Sequence, residues 1–578
     1  MRQFWWLFVL PLIAVMPLNA SAKPEDSVQF YLDNYGRADS KDKLVRRVHQ
    51  VFDKLKKVAD KRHHRLPQLA IVQGFNTPDE PLAVALPDGY IVLTKQALDI
   101  IYQNVSPVQG DTRAAFILGH ELAHLANDDH WHRAFLSAVK NRQAYQLVVN
   151  NYQQQRGLET EIEADDQGFI YAAMAGYPVD KLLVDDSRQP NFLVYWEQQT
   201  VRRLNKTHPD AKVRATLLQA RLQALLDILP YFHFGVRLSH FERCDDAIYF
   251  FREFVQNFPG REVYNNLGVC ELQKAQQVLG KEAYLYWLPS VLDVTTPIDK
   301  LSLPYAHRGT ALADEFLKNA QEYFEWALDM EPSYRPANIN LAITALYLGE
   351  IYQARAAIEK ARQLAPNDLE IQGMRLVILY EEGTLSPYVD MWPIVIQQLE
   401  QLAQQPNAPL SVFYNMARLL ELRKRTGADQ LWQRLAKQAA QLPPPIRRIV
   451  CEKTVCSPLP RRQQPKTHWQ LPVKLGSDTR RDKTLRQWQP SQMKLYDLYE
   501  QIYQHPDGSA EVLALRELVE MVVLKQLDPI SRDELSNYCG QPLRQRRVMN
   551  GTLWSCDHWT ALVVDDKVKE VWVVSITN

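Results

Sequence analysis

The sequence predicts a mainly α chain: a helical N-terminal domain, a run of paired helices, and a small C-terminal α+β module. Three observations carry that expectation. Apolar residues recur at helical spacing from Lys41 to Lys61, from Lys95 to Val105 and from Asp111 to Ala126. A half-repeat of small residues closed by proline returns at a fixed interval, with Ala320, Ala327 and Pro332 recurring 34 residues later as Ala354, Ala361 and Pro366. Beyond Pro472 the pattern turns to strand-like alternation in "WTALVV" and "VKEVWVVS", with Asn550-Gly551 as a hairpin turn.

Residues 1–22 read as a cleaved export signal. Arg2 precedes an apolar run from Phe4 to Leu18, and Ala20-Ser21-Ala22 is a small-x-small cleavage site. The run is short for a span and holds Pro11 and Pro17, and no later stretch approaches the ~18 apolar residues of a membrane helix. The expected product is a soluble periplasmic protein with no stable membrane span. The formal net charge of +0 gives no field that would draw nucleic acid.

The N-terminal domain is expected over residues 23–228. Leu69–Val72 and Leu82–Leu86 are short apolar runs, and "LPDGYIVLT" sets a Pro-Asp-Gly turn before a strand, which reads as a hairpin. Further helical patterns run from His130 to Arg156 and from Glu159 to Ala175, the last ending near Gly176 and Pro178. Residues 229–440 carry the paired helices. "NNLGVCEL" and "NINLAITAL" are matching first helices, and the array resembles the tetratricopeptide repeat. Residues 441–477 are Pro-rich and basic and read as a linker. Residues 478–578 form the α+β module, where Ser531 and Glu534 have capping-box spacing before a helix ending near Gly540. The six cysteines of an exported chain read as disulfides, at least two of them formed, and nearness in sequence suggests Cys451–Cys456, Cys539–Cys556 and Cys244–Cys270.

The chemistry concentrates in "ILGHELAHLANDDHWH", Ile117 to His132. On a helix His120 and His124 lie one turn apart on one face, where two ring nitrogens grip one zinc ion, one per chain. Glu121 is displaced around the helix and faces a bound water rather than the metal. A catalytic zinc needs a third protein ligand and an open position, and "ETEIEADDQG" supplies it. Glu161 is the candidate ligand, with Glu159 and Glu163 as competitors. Asp165, on the same face as Glu161, accepts from the far nitrogen of a ligand histidine. The competing reading is a pair of core histidines making hydrogen bonds. His130 and His132 read as solvated loop residues.

"HELAH" followed by "EIEAD" resembles the M48 family of zinc metallopeptidases, whose motif is His-Glu-x-x-His and then Glu-x-x-Ala-Asp. "AVALPDGYIVLT" and "THPDAKVR" are similar to further family segments, and the likeness covers about Lys41 to Leu218. The chain departs at Leu82, where the family commonly has asparagine, and at Asp88, where it has glycine. The resemblance implies a helical zincin-type metallopeptidase domain with Glu121 as general base. From the His-Pro likeness, His208 and Arg214 are candidate donors to the oxyanion. His208 has two other readings: a ligand that closes zinc's open position, and a surface histidine before a turn. The "LPDGYIVLT" strand is a candidate to pair with an extended substrate, or a plain edge strand.

The implied function is a periplasmic zinc endopeptidase for misfolded or stalled envelope proteins, its repeats recruiting clients, in contact with the outer-membrane assembly machinery. The alternative is a chaperone-like scaffold or adaptor in which the peptidase is latent.

Overall fold

The computed structural model describes residues 27–59, 66–74, 82–126, 158–184, 190–200, 211–297, 313–385, 390–456, 469–490 and 501–574, save 516, 526, 528–529, 540–541 and 557–558. The expected signal segment, His130, His132, the helix expected from His130 to Arg156, and His208 lie outside the described residues.

The chain opens with α1 (Val28–Tyr35) and α2 (Lys43–Val58). Val45, Val48, Phe52 and Leu55 form the buried stripe of α2, and the Asp42 carboxylate caps it by accepting from the Leu44 and Val45 amides. Three strands follow, β1 (Gln68–Val72), β2 (Ala83–Ala85) and β3 (Tyr90–Thr94). They lie in the order β1-β3-β2, with β1 parallel and β2 antiparallel to β3. Gly89, at φ +89°, closes the expected hairpin turn. The hairpin is present, but β3 is not available to a substrate. Its far side is taken by β1, which returns from before the hairpin and meets residues 36–38 on its own outer side, and β2 is the other edge strand among the described residues. Asp88 accepts from the Val28 amide at 2.8 Å, which ties α1 to the hairpin.

Helices α3 (Lys95–Tyr102), α4 (Pro107–Ala126), α5 (Leu158–Met174), α6 (Phe192–Thr200) and α7 (Ala211–Leu226) complete the N-terminal region. Beyond it the helices pair: α8 (Leu229–His240) with α9 (Cys244–Asn257), α10 (Arg261–Leu279) with α11 (Ala313–Met330), α12 (Arg335–Tyr347) with α13 (Ile351–Leu364), α14 (Leu369–Thr384) with α15 (Trp392–Ala403), and α16 (Leu410–Leu422) with α17 (Ala428–Lys437). Ala320, Ala327, Ala354 and Ala361 are all fully buried, the small residues that let neighbouring helices close on each other.

The segment expected to be a linker contains α18 (Pro444–Lys453). Its prolines sit in the first turn, where a missing N–H costs nothing, and Ile446, Ile449 and Val450 are buried at i, i+3, i+4. Helical spacing overrode the composition.

The C-terminal module supplies β5 (Gln489–Pro490), β6 (Gln501–Gln504), β7 (Ala510–Leu515), β8 (Leu518–Leu524), α19 (Arg532–Cys539), β9 (Arg544–Met549), β10 (Gly551–Ser555), β11 (Trp559–Val564) and β12 (Lys567–Val574). Ser531 and Glu534 make the expected capping box. Trp469 and Val473, in the expected linker, are buried in the core of this module. Its sheet has the order β4-β9-β10-β11-β12-β8-β7-β6-β5, and β4 (Leu292–Asp293) comes from between α10 and α11. The sheet is thus fastened to the paired helices. Arg237 of α8, 1 % exposed, donates to Glu511 at 3.1 Å and Glu570 at 2.7 Å, a buried cation held by two carboxylates.

Cys451–Cys456 and Cys539–Cys556 are disulfides. The third expected pair is not bonded: Cys244 and Cys270 are buried thiols, with Cys244 Sγ donating to Gln273 Oε1 at 3.0 Å. They pack as small apolar side chains where α9 of one helical hairpin meets α10 of the next. Among the described residues no helix is long and apolar enough to cross a membrane.

Candidate metal centre

Local sequence rules start the site. Pro107 opens α4, and Ser106 and Gln109 cap it reciprocally, the Ser106 amide donating to Gln109 Oε1 at 3.2 Å and the Gln109 amide to Ser106 Oγ at 3.3 Å. Arg47 of α2 grips Asp111 in the next turn through Nε at 2.5 Å and Nη2 at 2.8 Å, and the Tyr102 hydroxyl donates to the same carboxylate at 2.9 Å. Ala114, Ala115, Leu118 and Leu122 are buried, so the rest of α4 runs through the core.

Helix α5 crosses α4 at two glycines. A Cβ on Gly119 would meet the Gly168 carbonyl oxygen at 2.8 Å, and one on Gly168 would meet the His120 amide nitrogen at 2.6 Å. Glycine within a helix costs stability, and here the lost Cβ atoms let the two backbones touch. That contact sets the acids of α5 against the histidines of α4.

The Nε2 atoms of His120 and His124 stand 3.0 Å apart, with their rings at 83°. Glu161 reaches both: Oε2 lies 3.4 Å from His120 Nε2, and Oε1 lies 3.6 Å from His124 Nε2. These three residues place their donor atoms within 4.8 Å of one another. Donors held ~2.0–2.2 Å from one tetrahedral zinc stand roughly 3.3–3.6 Å apart, so the two imidazoles and the carboxylate fit a single ion. Glu163 is not in that group, and the Glu159 side chain lies outside the description.

Behind the cluster, Asp165 Oδ1 is 2.9 Å from His120 Nδ1. A proton on Nδ1 shared with Asp165 leaves Nε2 with its lone pair toward the cluster. Arg214 of α7 then takes both oxygens of Asp165, through Nε and Nη2 at 2.5 Å each. This corrects the sequence expectation. The Arg214 guanidinium is engaged with Asp165 instead of standing ready for an oxyanion, because a carboxylate only 2 % exposed requires a countercharge.

The electrostatics follow from these contacts. Burial disfavours the Asp165 anion, but the adjacent Arg214 charge and its hydrogen bonds hold the pKa below the usual carboxylate range. Burial also disfavours a charged His120, yet hydrogen bonds to Asp165 and Glu161 outweigh it and push the pKa up to about 10. The carboxylates around His120 thus favour a positive charge at that position, which a bound cation would supply in place of the imidazolium proton.

Sequence reasoning missed the two glycines and the partner of Arg214. Gly119, directly before His120, and Gly168, seven residues after Glu161, were visible as costly residues inside apolar helical patterns. Nothing in the sequence paired Arg214 with Asp165.

Residues 43–160 match the family model described as Peptidase family M48. A comparison with curated proteins finds no match. Among solved structures the chain is similar to the human IFIT1 dimer with PPP-AAAA, at 13% identity over 57% of this chain and 73% of that chain, with a TM-score of 0.20. A TM-score so low supports no inference about this chain.

Proposed function

We propose, with an M48-family metallopeptidase domain as the premise, that this chain is a zinc-dependent endopeptidase acting on unfolded or stalled proteins of the cell envelope. The observation that carries the reading is the convergence of His120, His124 and Glu161, with Asp165 behind His120.

Zinc held by those three residues would polarise a scissile carbonyl and make an attacking water acidic. Glu121, 9 % exposed and next to His120, takes the proton of that water and passes it to the leaving nitrogen. Asp165, steadied by Arg214, keeps His120 in one tautomer and one orientation. The edge strand β2 offers backbone N–H and C=O groups to an extended substrate, a recognition that ignores side chains. The two disulfides suit an oxidising compartment, which supports a periplasmic location. The paired helices, read as tetratricopeptide-like, gather clients and contact the outer-membrane assembly machinery.

The test compares wild type with Glu121→Gln for metal content and for digestion of a permanently unfolded substrate, reduced and carboxymethylated lactalbumin. The variant is expected to retain metal and to lose about 10²–10⁴-fold in cleavage rate. Unchanged cleavage removes Glu121 from the mechanism. Full rescue of a deletion strain's envelope by Glu121→Gln would replace the peptidase with the scaffold reading.

A further inference from the structure

One stretch of chain runs against the paired helices where no helix or turn requires it. Between α12 and α13 the connection is short, from Leu348 to Glu350, whereas α10 and α11 are separated by residues 280–312. The described part of that insertion, 280–297, opens with a 3-10 turn over Gly280–Tyr284, and from Trp287 to Thr296 it lies along the first helices of successive hairpins in an extended form that includes β4.

Its main chain is read by asparagines. Asn415 of α16 accepts from the Trp287 amide at 2.8 Å and donates to the Trp287 carbonyl at 3.1 Å. Asn340 of α12 accepts from the Val291 amide at 2.7 Å and donates to the Val291 carbonyl at 2.7 Å. Asn266 of α10 does the same for Asp293, at 2.9 Å and 2.7 Å. All three asparagines are essentially buried, at 1 %, 0 % and 0 % exposure in that order. Each gives one residue an acceptor for its N–H and a donor for its C=O, which is what a neighbouring antiparallel strand would give it. Tyr414 and Arg418 of α16 add donors to the Tyr284 and Leu285 carbonyls, at 2.7 Å and 3.0 Å.

Any buried irregular segment needs its backbone satisfied. What separates this one is repetition. Asn266-Leu267-Gly268, Asn340-Leu341-Ala342 and Asn415-Met416-Ala417 place asparagine at the same distance before a small packing residue in three separate hairpins. The array therefore presents a row of bidentate main-chain readers, spaced along one face and indifferent to the side chains of what they hold. Between and beside the clamps the segment adds apolar anchors, with Tyr286, Leu288, Leu292 and Val294 buried.

We infer that the inner face of the helical array is a binding groove for extended polypeptide, and that residues 283–296 are a built-in ligand occupying it. The partner that fits is an unfolded segment with aromatic or aliphatic side chains at intervals, and it enters by displacing the chain's own segment. Because β4 also pairs with β9, displacement frees the edge of the C-terminal sheet at the same time. This rests on the reading of the helices as the client-gathering part, and not on the peptidase chemistry.

The experiment uses the full chain carrying Glu121→Gln, so that nothing is cleaved, and a labelled synthetic peptide with the sequence of residues 284–296. Wild-type segment and peptide are expected to compete, so the unaltered groove binds the peptide weakly. Leu292→Glu with Val294→Glu expels the internal segment and is expected to raise peptide affinity at least tenfold. Adding Asn340→Ala to that variant is expected to abolish the gain. Equal affinity in all three chains overturns the inference. Should the expelled variant fail to fold by circular dichroism, hydrogen exchange on the Glu121→Gln chain decides instead. Amides of Trp287 to Thr296 are expected to exchange faster when carboxymethylated lactalbumin is added, and unchanged protection overturns the inference. Loss of groove binding with intact proteolysis by the wild-type enzyme would sink this inference and leave the peptidase standing. The opposite result would do the reverse.

Discussion

The His120–His124–Glu161 cluster and the asparagine-lined face of the paired helices are both preorganised, and they are built from opposite materials. The cluster gathers charge: His120, His124, Glu161, Asp165 and Arg214 meet in a buried network with glycine-to-glycine helix contact beneath it. The helical face gathers neutral amides, Asn266, Asn340 and Asn415, each exchanging two hydrogen bonds with the main chain of one residue. A charged site is suited to a cation and to charge that develops during a reaction. A neutral, bidentate one is suited to a backbone, which carries a donor and an acceptor and no net charge. On the function proposed above, hydrolysis and the holding of a chain are kept in separate regions.

The sharpest way to break this division is to remove a charge-bearing ligand. His124→Ala is expected to lower bound zinc from about one per chain to below ~0.1, with peptide binding by the groove unaffected. Metal analysis beside peptide titration checks it, and parallel loss of both would mean that the two regions are one functional unit.

Glu262 tests the neutrality of the groove. It is buried on α10 and accepts from the Thr296 hydroxyl at 2.6 Å, and burial pushes its pKa up from 4.5 to about 7 against the pull of Arg261. Between those two pH values the folded chain holds a proton that the unfolded chain has released. Stability therefore declines as pH rises through that window and levels off above it. The decline amounts to roughly 3 kcal/mol. Glu262→Gln is expected to flatten that part of the stability–pH curve, as measured by denaturant unfolding.

Gly168→Ala is expected to cost about 1–3 kcal/mol, because the new Cβ must push the α4 and α5 backbones apart. Metal affinity should fall with it. A variant that is equally stable and binds metal as well would show that the glycine contact does not set the ligand spacing.

Asn340→Ala strips the Val291 amide of its acceptor and leaves its carbonyl with the 3.2 Å bond from Asn265 alone. About 1–2 kcal/mol is expected, along with faster exchange at Val291 and unchanged metal content.

Much of the cluster was legible because its residues sit within one turn of each other on two helices. The spacing of His120 to His124 and of Glu161 to Asp165 converts directly into a shared face. Arg214 was visible as a residue and misread as a role, since its partner lies 49 positions away. The groove was legible only in part. "NNLGVCEL" and "NINLAITAL" stood out as matching helices, but an isolated asparagine has no signature of what it will hold. The strand order was hidden as well: period-two patterning marks strands without saying which neighbours they find, so β3 looked like a possible edge. In the supposed linker, proline content outweighed three apolar residues at helical spacing.

The sequence by itself determined the helical elements, the hairpin turns, two of the three suggested cysteine pairings and the identity of the acids and imidazoles that come together, because these depend on local conformational preference and on spacing within an element. The tertiary structure alone decided that Arg214 serves Asp165, that β3 lies between β1 and β2, that Cys244 and Cys270 stay thiols, and that Trp287 to Thr296 lie along the paired helices and lend a strand to a distant sheet. Those outcomes depend on which buried charges and peptide groups find partners once the core has closed. Such pairing is enforced by the cost of leaving a polar group unsatisfied, wherever along the chain the partner happens to be.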